Sequence, residues 1–251
     1  MNFTGKNVIL TGASGGIGYE LSRLIASEKC NIALLSRRKE VTDKLAAEFT
    51  SAGNRVLSLR CDVTSKEDVK SAFGTIINEF GSIDIAILNS GVSFRSPVED
   101  LNPDNTHQTF NVNVFGLTNF FEVLIPYFIK KREGMIVGVS SLADGRGFPK
   151  SGLYCSSKAA ATILLESIRI ELKKYNIKVL TVKPGFVKTP MTDKNEFRMP
   201  FLMPAVKAAK IILKGIKKEK RVIQFPLPTV LGARLLRLLP DSIFEYIAER
   251  T

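Results

Sequence analysis

Asn7-Val8-Ile9-Leu10-Thr11-Gly12-Ala13-Ser14-Gly15-Gly16-Ile17-Gly18-Tyr19-Glu20-Leu21-Ser22-Arg23-Leu24-Ile25 passes through three kinds of local structure in one stretch. The β-branched and apolar residues at 7–10 suit a buried strand. The glycines let the backbone turn sharply and come close to a ligand, and the residues from Tyr19 onward suit a helix. A helix that starts after such a turn presents unpaired N–H groups and partial positive charge, a natural seat for a pyrophosphate. Gly12, Gly16 and Gly18 have the spacing G-x-x-x-G-x-G, whereas the commoner dinucleotide fingerprint is G-x-G-x-x-G. A turn that serves structure alone is the competing reading.

The same strand-then-helix alternation continues to the end of the chain. Strand-like runs are read at 8–11, 31–36, 55–59, 83–89, 135–140, 178–183 and 221–225, with helix-like stretches between them. Such alternation predicts an α/β fold, a doubly wound parallel sheet of about seven strands with helices on both faces and right-handed crossovers. A length of 251 residues and 45% apolar content fit a single domain spanning 1–251, with no repeat or linker. Ligands of such sheets lie beyond the carboxyl ends of the strands. The chemistry-bearing motifs fall at those ends.

One of them is Tyr154-Cys155-Ser156-Ser157-Lys158, with Ser141 upstream at the end of the apolar run 135–141. Residues four apart share a helix face, so the phenol and the ammonium can reach one site. A unit charge at about 4 Å and an effective dielectric of about 20 is worth about 4 kcal/mol, roughly three pKa units, so Lys158 is expected to bring the phenol toward neutrality. A tyrosine so tuned would serve as a general acid or base. By itself, a Y-x-x-x-K also occurs in ordinary helices.

Taken together, these residues resemble the short-chain dehydrogenase/reductase family, of which the chain is identified as a single-domain member of about 250 residues; the resemblance runs through nearly the whole chain and implies its Rossmann fold. Residues 11–18 look like the family's T-G-x-x-x-G-I-G loop, Asp62-Val63 like its D-V and Asn89-Ser90-Gly91 like its N-A-G, with Ser for Ala. Asn113, Ser141, Tyr154 and Lys158 match the family's catalytic tetrad, and Pro184-Gly185 with Thr189 matches P-G-x-x-x-T. Ser140 and Ser141 are adjacent, and the family's spacing of thirteen to the Tyr selects Ser141. The resemblance implies cofactor contacts at Gly12, Ser14, Gly15, Gly16, Ile17, Gly18, Asp62, Val63, Asn89, Gly91, Tyr154, Lys158, Pro184, Gly185, Val187 and Thr189. It also implies roles. Tyr154 exchanges the proton, Lys158 tunes it and holds the nicotinamide ribose, Ser141 binds the substrate oxygen, and Asn113 anchors a water.

The cofactor choice is read from the second strand, which ends Ser36-Arg37-Arg38-Lys39. A carboxylate at that end would accept from both ribose hydroxyls of NAD and would repel a 2′-phosphate. With Ser36 there, the resemblance implies NADP, clamped by Arg37 with Arg38 as a second cation. The competing reading is a solvated charge run, although helices tend to begin with acidic residues. The function expected is an NADP-dependent oxidoreductase acting on a carbonyl or alcohol. A cofactor-binding regulator or scaffold without turnover is the alternative.

Other expectations concern substrate, partners and place. Residues 186–204 form the expected substrate lid, whose Met-rich second half suits a bulky or lipophilic compound or serves as packing. Phe94, Arg95 and Phe148 are further candidates to line the pocket. A net charge of +12 raises anionic partners, but no nucleic-acid motif is present and none is expected to bind. In the extension 226–251, Leu231, Leu235 and Leu238 share a helical face flanked by Arg234 and Arg237. That face suits peripheral contact with an anionic membrane, the enzyme's own cleft or a subunit. The apolar stretch falls short of the about 20 residues needed to span. The polar start, 1–6, carries no secretory signal, so a cytoplasmic protein is expected. Cys30, Cys61 and Cys155 are read as reduced thiols with no metal site, and the single His107 leaves no base for a serine hydrolase triad. Family habit implies a homodimer or homotetramer built through the helix of Tyr154.

Overall fold

The computed structural model describes residues 1–195 and 197–250. Glu196 and Thr251, which fall in the expected lid and C-terminal extension, lie outside the described residues. In chain order the elements are β1 (Asn7–Thr11), α1 (Gly16–Ala26), β2 (Asn31–Ser36), α2 (Lys39–Ser51), β3 (Val56–Arg60), α3 (Lys66–Phe80) and β4 (Ile85–Leu88). Next come α4 (Pro103–Phe110), a π turn (Asn111–Phe115), α5 (Gly116–Lys131), β5 (Gly134–Val139), α6 (Gly152–Leu172) and β6 (Ile177–Pro184). The chain ends with β7 (Val187–Lys188), β8 (Met203–Pro204), α7 (Ala205–Lys217), β9 (Val222–Phe225), α8 (Leu227–Leu238) and α9 (Asp241–Ala248).

Seven strands form one parallel sheet in the order β3-β2-β1-β4-β5-β6-β9, as the alternation predicts. The strand order reverses between β1 and β4, and a crevice opens at such a switch point beyond the carboxyl ends. The strands read as nearly unbroken apolar runs because helices cover both faces. One face packs against α1 and α7 through Leu21, Ile25, Ala208, Ile212 and Ile216. The other packs against α3, α5 and α6 through Ile76, Leu124, Phe128 and Leu165. The stretch Pro103–Lys131 is long and apolar enough to cross a membrane by length and composition. Its Phe120, Leu124 and Phe128 are instead buried against the sheet.

Between α4 and α5 the helical path continues through the π turn, one wider turn at 111–115 within the stretch Pro103–Lys131. The expected lid is tied at both ends. Val187 and Lys188 pair in parallel with Met203 and Pro204, and Phe186 meets Phe197 edge-on at 5.9 Å. Its apolar half divides accordingly: Met203 is buried, whereas Phe201 and Leu202 are exposed. In the C-terminal extension, Leu231, Leu235 and Leu238 are exposed.

β5 carries glycine where the helices must come close. A Cβ on Gly134 would strike the Phe128 ring, and one on Gly138 would strike Leu165 of α6. Without those side chains α6 settles low on the sheet, which brings its first turns to the carboxyl edge. Gly138→Ala should therefore destabilise the protein by about 1–3 kcal/mol through overpacking. Urea unfolding of Gly138→Ala, Leu165→Ala and the double variant should show a double loss smaller than the sum, and strict additivity would contradict the contact.

Candidate active site

The glycine turn is held open by contacts that leave no room for side chains. Gly12 and Gly16 have φ of +66° and +53°, the left-handed region that glycine enters without strain. A Cβ on Gly18 would collide with the Gly12 carbonyl, and one on Gly12 would lie 2.9 Å from Asn89 Nδ2. Asn89 donates from Nδ2 to the carbonyls of Thr11 at 3.1 Å and Gly12 at 3.4 Å. In return the backbone N–H groups of Asn89 and Ser90 donate to Thr11 Oγ1 at 2.9 and 3.1 Å. This cross-link pins the end of β4 to the turn after β1. Helix α1 then begins at Gly16 with no side-chain cap and no acidic residue in its first turn. Its N–H groups and positive dipole end are thus available to an anion.

The end of β2 closes over the same turn. Ser36 Oγ donates to Ser14 Oγ at 2.6 Å and accepts from the Arg38 N–H at 3.0 Å. Arg38 donates from Nε to Ser14 Oγ at 3.2 Å and from Nη2 to the Ser14 carbonyl at 3.1 Å, and its guanidinium fills the space a Gly15 side chain would need. Arg37 lies more in solvent, with Nη1 3.9 Å from Asp62 Oδ2. Asp62 also accepts from the backbone and hydroxyl of Thr64, while Val63 packs against Gly116. On the far side, Thr189 lies against Gly16, and the Gly185 N–H donates to the Phe225 carbonyl at 2.7 Å. Val187 is buried in β7, beside the same loop. A dinucleotide fits this cradle: bare backbone, an uncapped helix start and two cations at the β2 end.

Asn113 lies on the π turn and is buried. Its Nδ2 donates to the Val92 carbonyl at 2.9 Å and to Ser157 Oγ at 3.0 Å, and its Oδ1 accepts from the Val92 N–H at 2.8 Å. The amide nitrogen has no further proton to give, while Oδ1 keeps one lone pair. A Cβ on Gly91 would sit 3.2 Å from Lys158 Nζ and 3.3 Å from Asn113 Oδ1, so both groups border one small space. The π turn aims Asn113 there, a feature often found at functional sites.

Lys158 is 4% exposed, and its ammonium donates to the Val139 carbonyl at 3.1 Å. Burial pulls its pKa down to about 8. Tyr154 is one helical turn away, with Lys158 Nζ 5.7 Å from its ring centroid. Burial pushes the phenol up, and a hydrogen bond with Ser141 pulls it partway back. The expectation that Lys158 lowers the phenol toward neutrality is therefore corrected: desolvation, which acts on both groups in the same pocket, has the larger effect. Ser141 Oγ also accepts from the Ala143 N–H at 3.1 Å, capping the 3-10 turn Leu142–Asp144. One hydroxyl thus caps the 3-10 turn and bonds Tyr154. Its neighbour Ser140 points the other way, to Thr162 and the Lys158 carbonyl.

Helices α8 and α9 pack against the loops that follow β5 and β6. Thr229 lies beside Gly185, and Phe148 meets Phe244 edge-on at 5.7 Å. Arg146 stacks 4.1 Å above the same Phe244 ring and pairs with Asp241 at 2.9 Å. Phe148 is thus taken up by α9, whereas Arg146 escaped the sequence reading. So did Asp144 and Lys183, an ion pair just behind Ser141. They are 39 residues apart, and no local spacing signals them.

Comparison with known proteins agrees with this geometry. Residues 6–199 match the short chain dehydrogenase family. The chain is 30% identical over 245 residues to an uncharacterized oxidoreductase of Myxococcus xanthus, covering 98% of this chain and 97% of that one. It is 32% identical over 194 residues to a 3-oxoacyl-(acyl-carrier-protein) reductase of Thermotoga maritima, covering 77% and 79%. Among solved structures, a short chain dehydrogenase/reductase of Burkholderia phymatum in complex with NAD superposes with a TM-score of 0.86 at 22% identity, over 94% of each chain. An alcohol dehydrogenase of Thermococcus sibiricus complexed with 5-hydroxy-NADP gives 0.79 at 25% identity, over 88% and 94%.

The depressed Lys158 has a thermodynamic signature. Between pH 8 and 10.5 the folded state binds fewer protons at this site than the unfolded state, so stability rises with pH across that window. The penalty of burying the ammonium is fully present below pH 8 and fades toward pH 10.5. Relative to Lys158→Met, the native protein should gain roughly 3 kcal/mol over the window in urea unfolding. A difference independent of pH would show that the ammonium is solvated.

Proposed function

The chain belongs to the short-chain dehydrogenase family, and on that premise we propose that it is an NADP-dependent oxidoreductase interconverting a carbonyl and an alcohol. The observation that carries this reading is the convergence at one sheet edge of the Tyr154, Ser141 and Lys158 group with an open glycine turn. The nicotinamide, when bound, supplies or accepts the hydride. Tyr154 gives its hydroxyl proton to the carbonyl oxygen in reduction and takes it from the alcohol in oxidation. A phenol whose pKa is raised by burial stays protonated at neutral pH, which suits the donor role. Ser141, beside that hydroxyl, orients the substrate oxygen. Lys158 holds a proton one turn behind Tyr154 and, with a pKa of about 8, can pass it on. The spare lone pair of Asn113 Oδ1 can hold a water that resupplies it.

NADP is supported by what stands at the end of β2: the Ser36 hydroxyl in place of a carboxylate, then Arg37 and Arg38. Arg38 already lies across the glycine turn, and Arg37 is the freer cation to clamp a 2′-phosphate. Exposed Phe201 and Leu202 in the lid segment support a bulky or lipophilic substrate. Ile163 and Ile170, which face outward from α6, support pairing of copies through that helix. The outward leucines of α8, with Arg234 and no acidic residue in that helix, support peripheral contact with an anionic membrane.

NADPH oxidation over a panel of ketones and aldehydes tests the reaction. Tyr154→Phe should lose about 10²- to 10⁴-fold in kcat while still binding NADPH, and equal rates for the two proteins would defeat the assignment of Tyr154. Arg37→Ala should weaken NADPH binding about tenfold or more, as expected for a lost charge-assisted hydrogen bond, and NADH binding far less. Equal losses for the two cofactors would contradict the NADP reading.

A further inference from the structure

A buried ion pair behind the site has no part in the proton and hydride chemistry assigned to Tyr154, Ser141, Lys158 and Asn113. Lys183 Nζ, at the end of β6, stands 2.6 Å from Asp144 Oδ2, and the two side chains are only 12% and 8% exposed. Asp144 ends the 3-10 turn just after Ser141, and its Oδ2 also accepts from Thr162 Oγ1 of α6 at 2.6 Å. Thr162 gives its proton to Asp144, and the single Ser140 proton is shared between Thr162 Oγ1 at 2.7 Å and the Lys158 carbonyl at 2.9 Å. One carboxylate therefore ties together β6, the turn bearing Ser141 and the helix bearing Tyr154 and Lys158.

Stability does not account for such a pair. Desolvating two ions offsets most of their attraction, and well-packed apolar residues in their place are often as stable or more so. What the pair supplies is fixed geometry and fixed charge. We propose that Asp144 is a positioning residue for proton transfer: it sets Ser141 against Tyr154 and keeps a negative charge on the protein side of the phenol. This role rests on the reading of Tyr154 as the proton donor. The charge of Asp144 adds to burial in keeping the phenol protonated, against the pull of the Ser141 hydrogen bond. The groups that meet the carboxylate are Lys183 from β6 and the Thr162 hydroxyl from α6, and its charge reaches Tyr154 on the same helix.

The test uses the full chain with tyrosine labelled with ¹³C at Cζ. The chain has five tyrosines, and Tyr154→Phe assigns the resonance. Asp144→Asn keeps an acceptor for Thr162 but leaves Lys183 buried without its partner, so Asp144→Asn with Lys183→Met is measured as well. In Asp144→Asn the pKa of Tyr154 should fall by about one pH unit, the effect of a unit charge across about 10 Å at an effective dielectric of about 20, and in the double variant, which removes the Lys183 charge as well, the fall should be smaller. The basic limb of kcat for carbonyl reduction should move down with it, at unchanged NADPH affinity. A folded Asp144→Asn protein whose Tyr154 titrates as in the native protein would overturn the proposal, as would a double variant whose Tyr154 titrates higher than in the native protein. Should the native protein turn over no carbonyl, the oxidoreductase reading fails, while the titration still decides what Asp144 does.

Discussion

An ammonium buried at the carboxyl edge of a parallel sheet, with a backbone carbonyl as its partner, is the constraint around which the site is arranged. Lys158 meets the Val139 carbonyl and, among the described residues, no carboxylate, and burial lowers its pKa to about 8. A group in that state costs stability at neutral pH unless its surroundings are rigid enough to keep it there. The rigidity is visible on every side. Asn113 clamps Val92 and Ser157, Ser140 sits beneath the Lys158 carbonyl, and Gly91 leaves the space that a side chain would fill. A strained position of this kind is more common at functional sites than elsewhere.

The sheet turns that local constraint into a site. Because β1 and β4 are neighbours while their crossovers run in opposite directions, the turn after β1 and the loop after β4 flank one crevice. Asn89 locks the two together, and glycine at 12 and 18 lets the backbones touch. Glycine on β5 does similar work from below, since it lets α6 approach and lifts Tyr154 to the edge. The glycine turn and Tyr154 are thus placed by backbone packing alone.

Much of this was legible in the order of residues. Strand periods of unbroken apolar residues and the glycine turn predicted the seven-stranded sheet, and the motifs fell at the strand ends where ligands bind. Other features had no local signal. The π turn at 111–115 has the same apolar spacing as a helix, so nothing in the residue spacing marked it. The i, i+4 spacing of Tyr154 and Lys158 foretold their proximity but not the desolvation that governs the phenol. The sequence ranked Arg37 ahead of Arg38 but could not show that Arg38 folds onto the glycine turn while Arg37 reaches toward Asp62. The pairing of Asp144 with Lys183 depends on β6 lying beside β5, a tertiary fact.

Hydride transfer itself is the central claim, and isotope tracing reads it directly. NADPH deuterated at C4 of the nicotinamide is incubated with the protein and a carbonyl substrate that it turns over, and the alcohol is recovered. Deuterium from the cofactor should appear on the new carbinol carbon, while the hydroxyl proton comes from solvent. An alcohol without label on that carbon, or with its carbon-bound hydrogen drawn from water, would contradict the account.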